Sequence, residues 1–238
     1  MAQVTPEASA VLAEATDLLG YGPYVDRAVT APDAVRHVSD NREELERARH
    51  ALALAEAGRR VVVVSGGDAG VFGMASAVFE ALEGGPVAWR GLDVRVVPGV
   101  SAVLAAAARI GAPLGGDFCA ISLSDNLKPW DVVLRRVRLS AEAGLVMALY
   151  NPRSRARPWH LGAAFGVLRE ILPGETVVCF ARAIGRAGER VVVTDLQRAD
   201  PELVDMSTLV LIGTAETRVV ARVEGEPWVY TRRRVDSV

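Results

Sequence analysis

The sequence predicts a two-domain α/β protein. In its first half, short unbroken apolar runs alternate with helical patterns, as strands covered on both faces of a parallel sheet require. Gly111-Ala112-Pro113-Leu114-Gly115-Gly116-Asp117 interrupts this pattern and predicts a boundary, with an N-terminal domain over 1–112 and a C-terminal domain over 113–238. The last apolar runs lie close together in sequence, which points to antiparallel pairing and a mixed second sheet.

Taken in order, the spacing predicts a helix over Val4 to Leu19, with Thr5 as N-cap, Pro6 at the first helical position and Glu7 in the first turn. Gly20-Tyr21-Gly22-Pro23-Tyr24 breaks it. Val35 to Val38 reads as a short strand, and Ser39-Asp40-Asn41-Arg42-Glu43 opens a second helix that runs to Ala57 and stops at Gly58. Arg60 to Val64 reads as a strand, Val71 to Leu82 as a helix, and Val94 to Val97 as a strand closed by Pro98-Gly99. Ser101 to Ile110 forms a helix of small residues. In the second half, strands are expected at Phe118–Leu123, Leu145–Leu149, Thr176–Ala181, Val191–Thr194 and Leu209–Ile212, and helices at Trp130–Ala143 and Pro158–Leu172.

The 238 residues are 50% hydrophobic and carry a formal net charge of −2, enough chain for one large core or two modest ones. So balanced a charge excludes a general nucleic-acid binder, and any anionic ligand must be held by local cations. Cys119 and Cys179 sit inside apolar runs and read as buried core thiols. With His37, His50 and His160 scattered, no metal-ligand spacing emerges, and no metal is expected. No run reaches a membrane span and no signal pattern opens the sequence, so the expected location is the cytoplasm, with no membrane partner.

The most informative stretch is Val61 to Leu82. Four valines lead into Ser65-Gly66-Gly67-Asp68-Ala69-Gly70 and then a helical pattern. A strand that ends in a loop nearly bare of side chains leaves backbone N–H groups open to a ligand. There is no G-x-x-x-x-G-K-[ST], and glycines at 67, 70 and 73 do not make G-x-G-x-x-G, so the loop is not built for a dinucleotide pyrophosphate. Asp68 reads either as a helix N-cap or as a contact to a cationic or hydroxyl-bearing ligand. Pro98-Gly99-Val100-Ser101-Ala102 is a second strand end turning into a helix. In a parallel sheet it should lie near the first. Ser101 by itself reads as a cap; beside the first loop it reads as a binding residue. Ser122 to Trp130 and Tyr150 to Arg157 are polar loops after strands, and Arg153, Arg155 and Arg157 could hold carboxylates.

Together, Ser39-Asp40-Asn41-Arg42-Glu43-Glu44-Leu45, the loop Ser65 to Gly70, Pro98 to Ala102, Leu123-Ser124-Asp125-Asn126-Leu127-Lys128-Pro129-Trp130 and Tyr150-Asn151-Pro152-Arg153-Ser154 resemble the tetrapyrrole methylase family of cobalamin synthesis. Within it they resemble the branch that acts on carbon 17 of precorrin-3B. The resemblance implies the class III S-adenosylmethionine methyltransferase fold. Two α/β domains would hold S-adenosylmethionine in the cleft between them, usually in a homodimer. It implies methyl transfer to carbon 17 of precorrin-3B with contraction of the ring, giving precorrin-4. The family's cofactor positions carry over to Gly66, Gly67, Asp68, Val71, Ser101, Ala102, Tyr150, Asn151, Ala183 and Thr214. Arg153 with Lys128 is expected to hold the substrate's carboxylates, and Asp125 is the candidate for proton transfer during contraction. The family opens with a strand and a G-x-G-P-G turn before the helix at Thr5. This sequence opens with Met1-Ala2-Gln3-Val4, so its first domain is expected to lack that N-terminal strand. The alternatives are a corrin-ring methylase with another target carbon and a truncated, non-catalytic tetrapyrrole-binding paralogue.

Overall fold

The computed structural model describes residues 3–40 and 43–234. Met1 and Ala2 at the start, and Asn41 and Arg42 in the motif before the second helix, lie outside them. The chain divides into two compact units, Met1–Ser101 and Ala102–Val238. The division falls before the helix 102–110 and not after Ala112. That helix packs Val103, Ala106 and Ile110 against Leu209, Leu211 and Val229 of the second unit, so its apolar face assigns it there.

The first unit holds α1 (Pro6–Glu14), β1 (Asp17–Tyr21), α2 (Gly22–Val25), β2 (Val35–Ser39), α3 (Glu44–Glu56), β3 (Val61–Val64) and α4 (Ala75–Gly84). Its three strands are all parallel, in the order β2-β1-β3. Thr5 caps α1 as expected, accepting from the Ala8 amide at 3.1 Å. The helix does not continue to Leu19. It stops at Glu14, and Asp17 to Tyr21 becomes the central strand. Asp-Leu-Leu-Gly-Tyr contains good helix formers, but Leu18 and Leu19 are fully buried only when strands flank them on both sides.

Asp17 anchors the entry to that strand. It is 2% exposed, with Oδ1 2.9 Å from His37 Nε2, while Arg59 Nε and the Thr16 hydroxyl donate to Oδ2 at 2.7 and 2.8 Å. Burial raises the carboxyl's pKa, but the hydrogen bonds from His37, Arg59 and Thr16 outweigh it and carry it down to about 2.

Val94 to Val97 does not form a strand. A strand exists only through its ladder, and no described strand pairs with this segment or with the outer edge of β3. The four valines of β3 are accordingly only half-buried.

The second unit holds α5 (Ala102–Ile110), β4 (Gly111–Ala112), β5 (Phe118–Ser122), α6 (Trp130–Glu142), β6 (Val146–Tyr150), α7 (His160–Arg169), β7 (Val177–Arg182), β8 (Arg190–Asp195), β9 (Thr208–Ile212), β10 (Thr217–Val220) and β11 (Trp228–Thr231). The main sheet runs β5-β6-β9-β7-β8, and a small sheet runs β10-β11-β4. β5 and β6 are parallel, while β9 runs antiparallel to both β6 and β7. The expected mixed sheet is therefore present. Its core packs Val133 and Val137 of α6 and Leu161, Phe165 and Leu168 of α7 against Met147, Leu149, Val210 and Ile212 of the sheet.

Candidate active site

In the first unit the two glycine bends meet. Asp68 ties them together: Oδ1 accepts from the Gly70 amide at 2.8 Å, and Oδ2 accepts from the Gly99 amide at 3.0 Å. The approach is close enough that a Cβ on Gly99 would lie 2.2 Å from the Gly67 carbonyl oxygen. Gly67 itself has φ of 80°, a conformation that L side chains rarely adopt. Among the described residues no group takes the amides of Gly66, Gly67 or Ala69, and Gly66 and Gly67 are exposed. These are donors left open beside a bare backbone.

The loop is longer than its sequence suggests. α4 begins at Ala75, and Val71 to Met74 form turns instead of its first turn. The Met74 amide donates to the Ser65 hydroxyl at 2.9 Å, and the Ala75 amide donates to the Ala69 carbonyl at 3.0 Å. Asp68 is thus no helix cap. It is a clamp whose two oxygens hold the two bends in register. Val71 is half-buried in the loop, and Ser101, two residues after Gly99, is buried.

In the second unit one end of the main sheet gathers most of the remaining candidates. β5 and β6 pair Ser122 with Tyr150, so the loops after both strands leave from the same edge. The Tyr150 hydroxyl accepts from the Val103 amide at 2.9 Å, which brings Ala102 and the start of α5 to that edge. Asn151 Nδ2 donates to the Ser122 hydroxyl at 2.9 Å. β7 ends there too, since its Arg182 pairs with Thr208 at the start of β9, and Ala183 follows. Ala183 is buried, so only its main chain could meet a ligand.

Thr214 is the exception. β9 runs against β6 and β7, and its end at Ile212 pairs with Met147 and Val178 near their beginnings. Thr214 therefore leaves from the opposite edge of the sheet, where its amide donates to Thr217 Oγ1 at 2.9 Å. Within the second unit it stands on the edge opposite Tyr150 and Ala183.

Backbone strain marks the same places. Phe72, Asn151 and Ala183 are the non-glycine residues with positive φ among those described, at 54°, 51° and 49°. Each lies in a loop that follows a strand at a candidate site, and such conformations persist where the surroundings impose them.

The charged candidates are largely paired. Arg153 meets Glu202 as an ion pair and donates from Nη1 to the Glu202 carbonyl at 3.1 Å. Arg157 abuts Asp125 as an ion pair and also donates to Asn126. Lys128 has no such partner among the described residues, and its ammonium pKa is lowered by burial and by neighbouring Arg136. The sequence reading gave His160 no role, yet it is 2% exposed, with Nε2 3.6 Å from Asp125 Oδ2. It opens a helix far from Asp125 in sequence, and no spacing signal links the two.

The model of the family described as Tetrapyrrole (Corrin/Porphyrin) Methylases matches residues 1–200. The chain belongs to the tetrapyrrole methylases. This methylase is 57% identical over 232 residues to a precorrin-3B C(17)-methyltransferase of Sinorhizobium sp, covering 97% of this chain and 91% of that one. Among solved structures it matches the methyltransferase CobJ with a TM-score of 0.91 at 52% identity, covering 97% of this chain and 94% of that chain. It shares its fold, at 23% identity and a TM-score of 0.63, with uroporphyrin-III C-methyl transferase from Thermus thermophilus complexed with S-adenyl homocysteine; that match covers 88% of this chain and 90% of the other.

Proposed function

We propose that this methylase transfers the methyl group of S-adenosylmethionine to carbon 17 of precorrin-3B, with ring contraction to precorrin-4. The observation that carries the reading is the clamped pair of bends at Gly67 and Gly99, with open amides at Gly66, Gly67 and Ala69, in a chain so similar to a precorrin-3B C(17)-methyltransferase.

Those residues fit the methyl donor. In the first unit, Gly66, Gly67, Val71 and Ser101 would contact it by main chain and small side chains; in the second unit, taken by itself, Ala102, Tyr150, Asn151 and the Ala183 backbone are the candidate contacts. The bound donor supplies an electrophilic methyl on a sulfonium, so no protein nucleophile or metal is needed for its transfer. What the chain must do is place a ring carbon about 3–3.5 Å from that methyl, in line with the breaking bond. Transfer disperses positive charge, which suits a seat shielded from water and poor in titratable groups. Asp68 keeps the bends together and does not take part directly.

The tetrapyrrole carries several carboxylates and needs cations. Lys128, without an ion-pair partner among the described residues, is the freer of the two expected residues. Arg153 is already held by Glu202 and would have to exchange that partner for the substrate. Asp125 remains the candidate for moving a proton during contraction. The enzyme is proposed to work as a homodimer in the cytoplasm. No helix among the described residues is long and apolar enough to cross a membrane.

The test is incubation of the full chain with precorrin-3B and methyl-labelled S-adenosylmethionine, followed by NMR of the product. Label on carbon 17 of a contracted ring is expected. Label on another carbon, or a labelled product with the ring intact, would contradict the reading.

A further inference from the structure

The edge of the main sheet that carries Asp125 also carries a closed aromatic box. His160, first residue of α7, stacks face to face on Trp130, first residue of α6, with ring centroids 4.2 Å apart and planes 7° apart. Trp159 closes the side edge-on, 4.4 Å from His160 and 5.0 Å from Trp130. The face of Trp130 and the perpendicular ring of Trp159 restrict rotation of the imidazole. Its Nε2 is aimed at Asp125 Oδ2 at 3.6 Å, just beyond hydrogen-bond reach, and it has no other partner among the described residues. A buried ring nitrogen without a partner costs free energy unless something else offsets it.

Asp125 stands between two groups of different kind. On one side Arg157 presents a fixed positive charge to Oδ1, close enough for an ion pair but without the angle of a hydrogen bond. On the other side His160 presents an N–H that is short of contact. The carboxylate is a quarter exposed (24%) and His160 is not, so a ligand at this edge meets Asp125 and never His160. A shift of Asp125 by less than an ångström would bring Oδ2 within hydrogen-bond distance of His160 Nε2.

We propose that His160 is a positioning residue for Asp125: a locked, neutral imidazole whose Nε2–H takes up the Asp125 carboxylate when the tetrapyrrole engages the loop 122–129. This rests on the reading of Asp125 given under Proposed function and adds the group that orients it. Neutrality follows from the surroundings. Burial between two indoles disfavours the imidazolium, Asp125 favours it, and Arg157 opposes it; the net effect lowers the pKa of His160. These are the charged groups that face it. A neutral ring can donate one N–H while adding no charge to compete with the substrate's carboxylates.

The test uses the full chain, His160→Phe, His160→Gln and Asp125→Asn. Phenylalanine keeps the stack on Trp130 and removes the donor; glutamine returns an N–H near the Nε2 position. His160→Phe should lower kcat about tenfold or more while leaving KM for the tetrapyrrole unchanged, and His160→Gln should recover most of the loss. A purely structural ring would be replaced by phenylalanine without loss. The second measurement needs no turnover. In NMR, the imidazole signal that disappears in His160→Phe should titrate below the usual 6.5 and shift further down in Asp125→Asn, where its favourable charge is gone. His160→Phe with wild-type kcat, or a His160 titration indifferent to Asp125→Asn, would overturn the inference. If the wild type fails to methylate precorrin-3B while the titration shift is present, the reading of the reaction fails and the His160–Asp125 coupling stands.

Discussion

The two units offer a ligand opposite kinds of surface. In the first, the bends at Gly67 and Gly99 present main chain, and their single carboxylate, Asp68, is spent on holding amides. In the second, the loops after β5 and β6 present side chains, and most of their charges are already matched, Arg157 with Asp125 and Arg153 with Glu202. The difference teaches a division of labour. Main-chain N–H groups are offered whatever side chain the residue carries, proline excepted, so on the proposed reading they suit a donor that is the same in every turnover. Paired side chains can exchange partners, so they suit a polyanionic substrate that must enter and leave.

The sharpest way to break that division is at Gly99. A Cβ there meets backbone, not the end of a side chain, so Gly99→Ala must push the bends apart. Equilibrium dialysis should show affinity for S-adenosylmethionine falling by about 100-fold or more, with stability lower by about 1–3 kcal/mol. Tetrapyrrole binding should be little changed; equal loss of both ligands would merge the two surfaces into one.

Asp125→Ala comes next. Its kcat should fall by about 10²–10⁴-fold if it moves a proton, with donor binding intact in the same dialysis. Undiminished turnover removes Asp125 from the chemistry. Smaller effects separate the cations. Lys128→Ala should raise KM for the tetrapyrrole by about tenfold, roughly one charge-assisted contact, and Arg153→Ala should raise it less, because Glu202 competes for that guanidinium. The reverse order would mean that the Arg153–Glu202 pair opens fully on binding.

How much of this could be read from the sequence differs between the units in the same way. The glycine bends were legible because a strand followed by a run of bare residues needs no distant partner to declare itself. Their adjacency was expected from a parallel sheet, but Val94 to Val97 forms no strand, and it is Asp68 that joins the two bends. The β1 strand was not legible, because Asp17 to Tyr21 becomes a strand only through β2 and β3 on either side. Val94 to Val97 failed in the opposite sense: a good strand sequence lacks a described ladder. That Thr214 leaves the sheet from the edge opposite Tyr150 could not be read either, because spacing does not reveal that β9 runs antiparallel between β6 and β7. The pairs Arg157–Asp125, Arg153–Glu202 and His160–Asp125 join residues far apart in sequence, and only the folded sheet edge brings them together.

The least effect on function, and a separate check of the frame, lies at Asp17. Asp17→Asn should destabilise the first unit by about 2–3 kcal/mol near neutral pH, the worth of charge-assisted bonds to a buried carboxylate. The wild-type carboxyl titrates at about 2 when folded against an ordinary 3.8, so it binds fewer protons folded than unfolded. Its contribution is complete above about pH 4 and is lost as pH falls toward 2. Chemical denaturation at pH 7 and pH 3 should show the gap between wild type and variant narrowing at the lower pH.

The division of labour stands or falls on calorimetric titration of the full chain with S-adenosylmethionine, for wild type and Gly67→Arg. The wild type should give a saturable isotherm, and Gly67→Arg, with a long side chain placed where φ is 80° and the amides are open, should give none. A wild-type titration without heat across the temperature range, or an isotherm that survives Gly67→Arg unchanged, would contradict a backbone seat for the methyl donor.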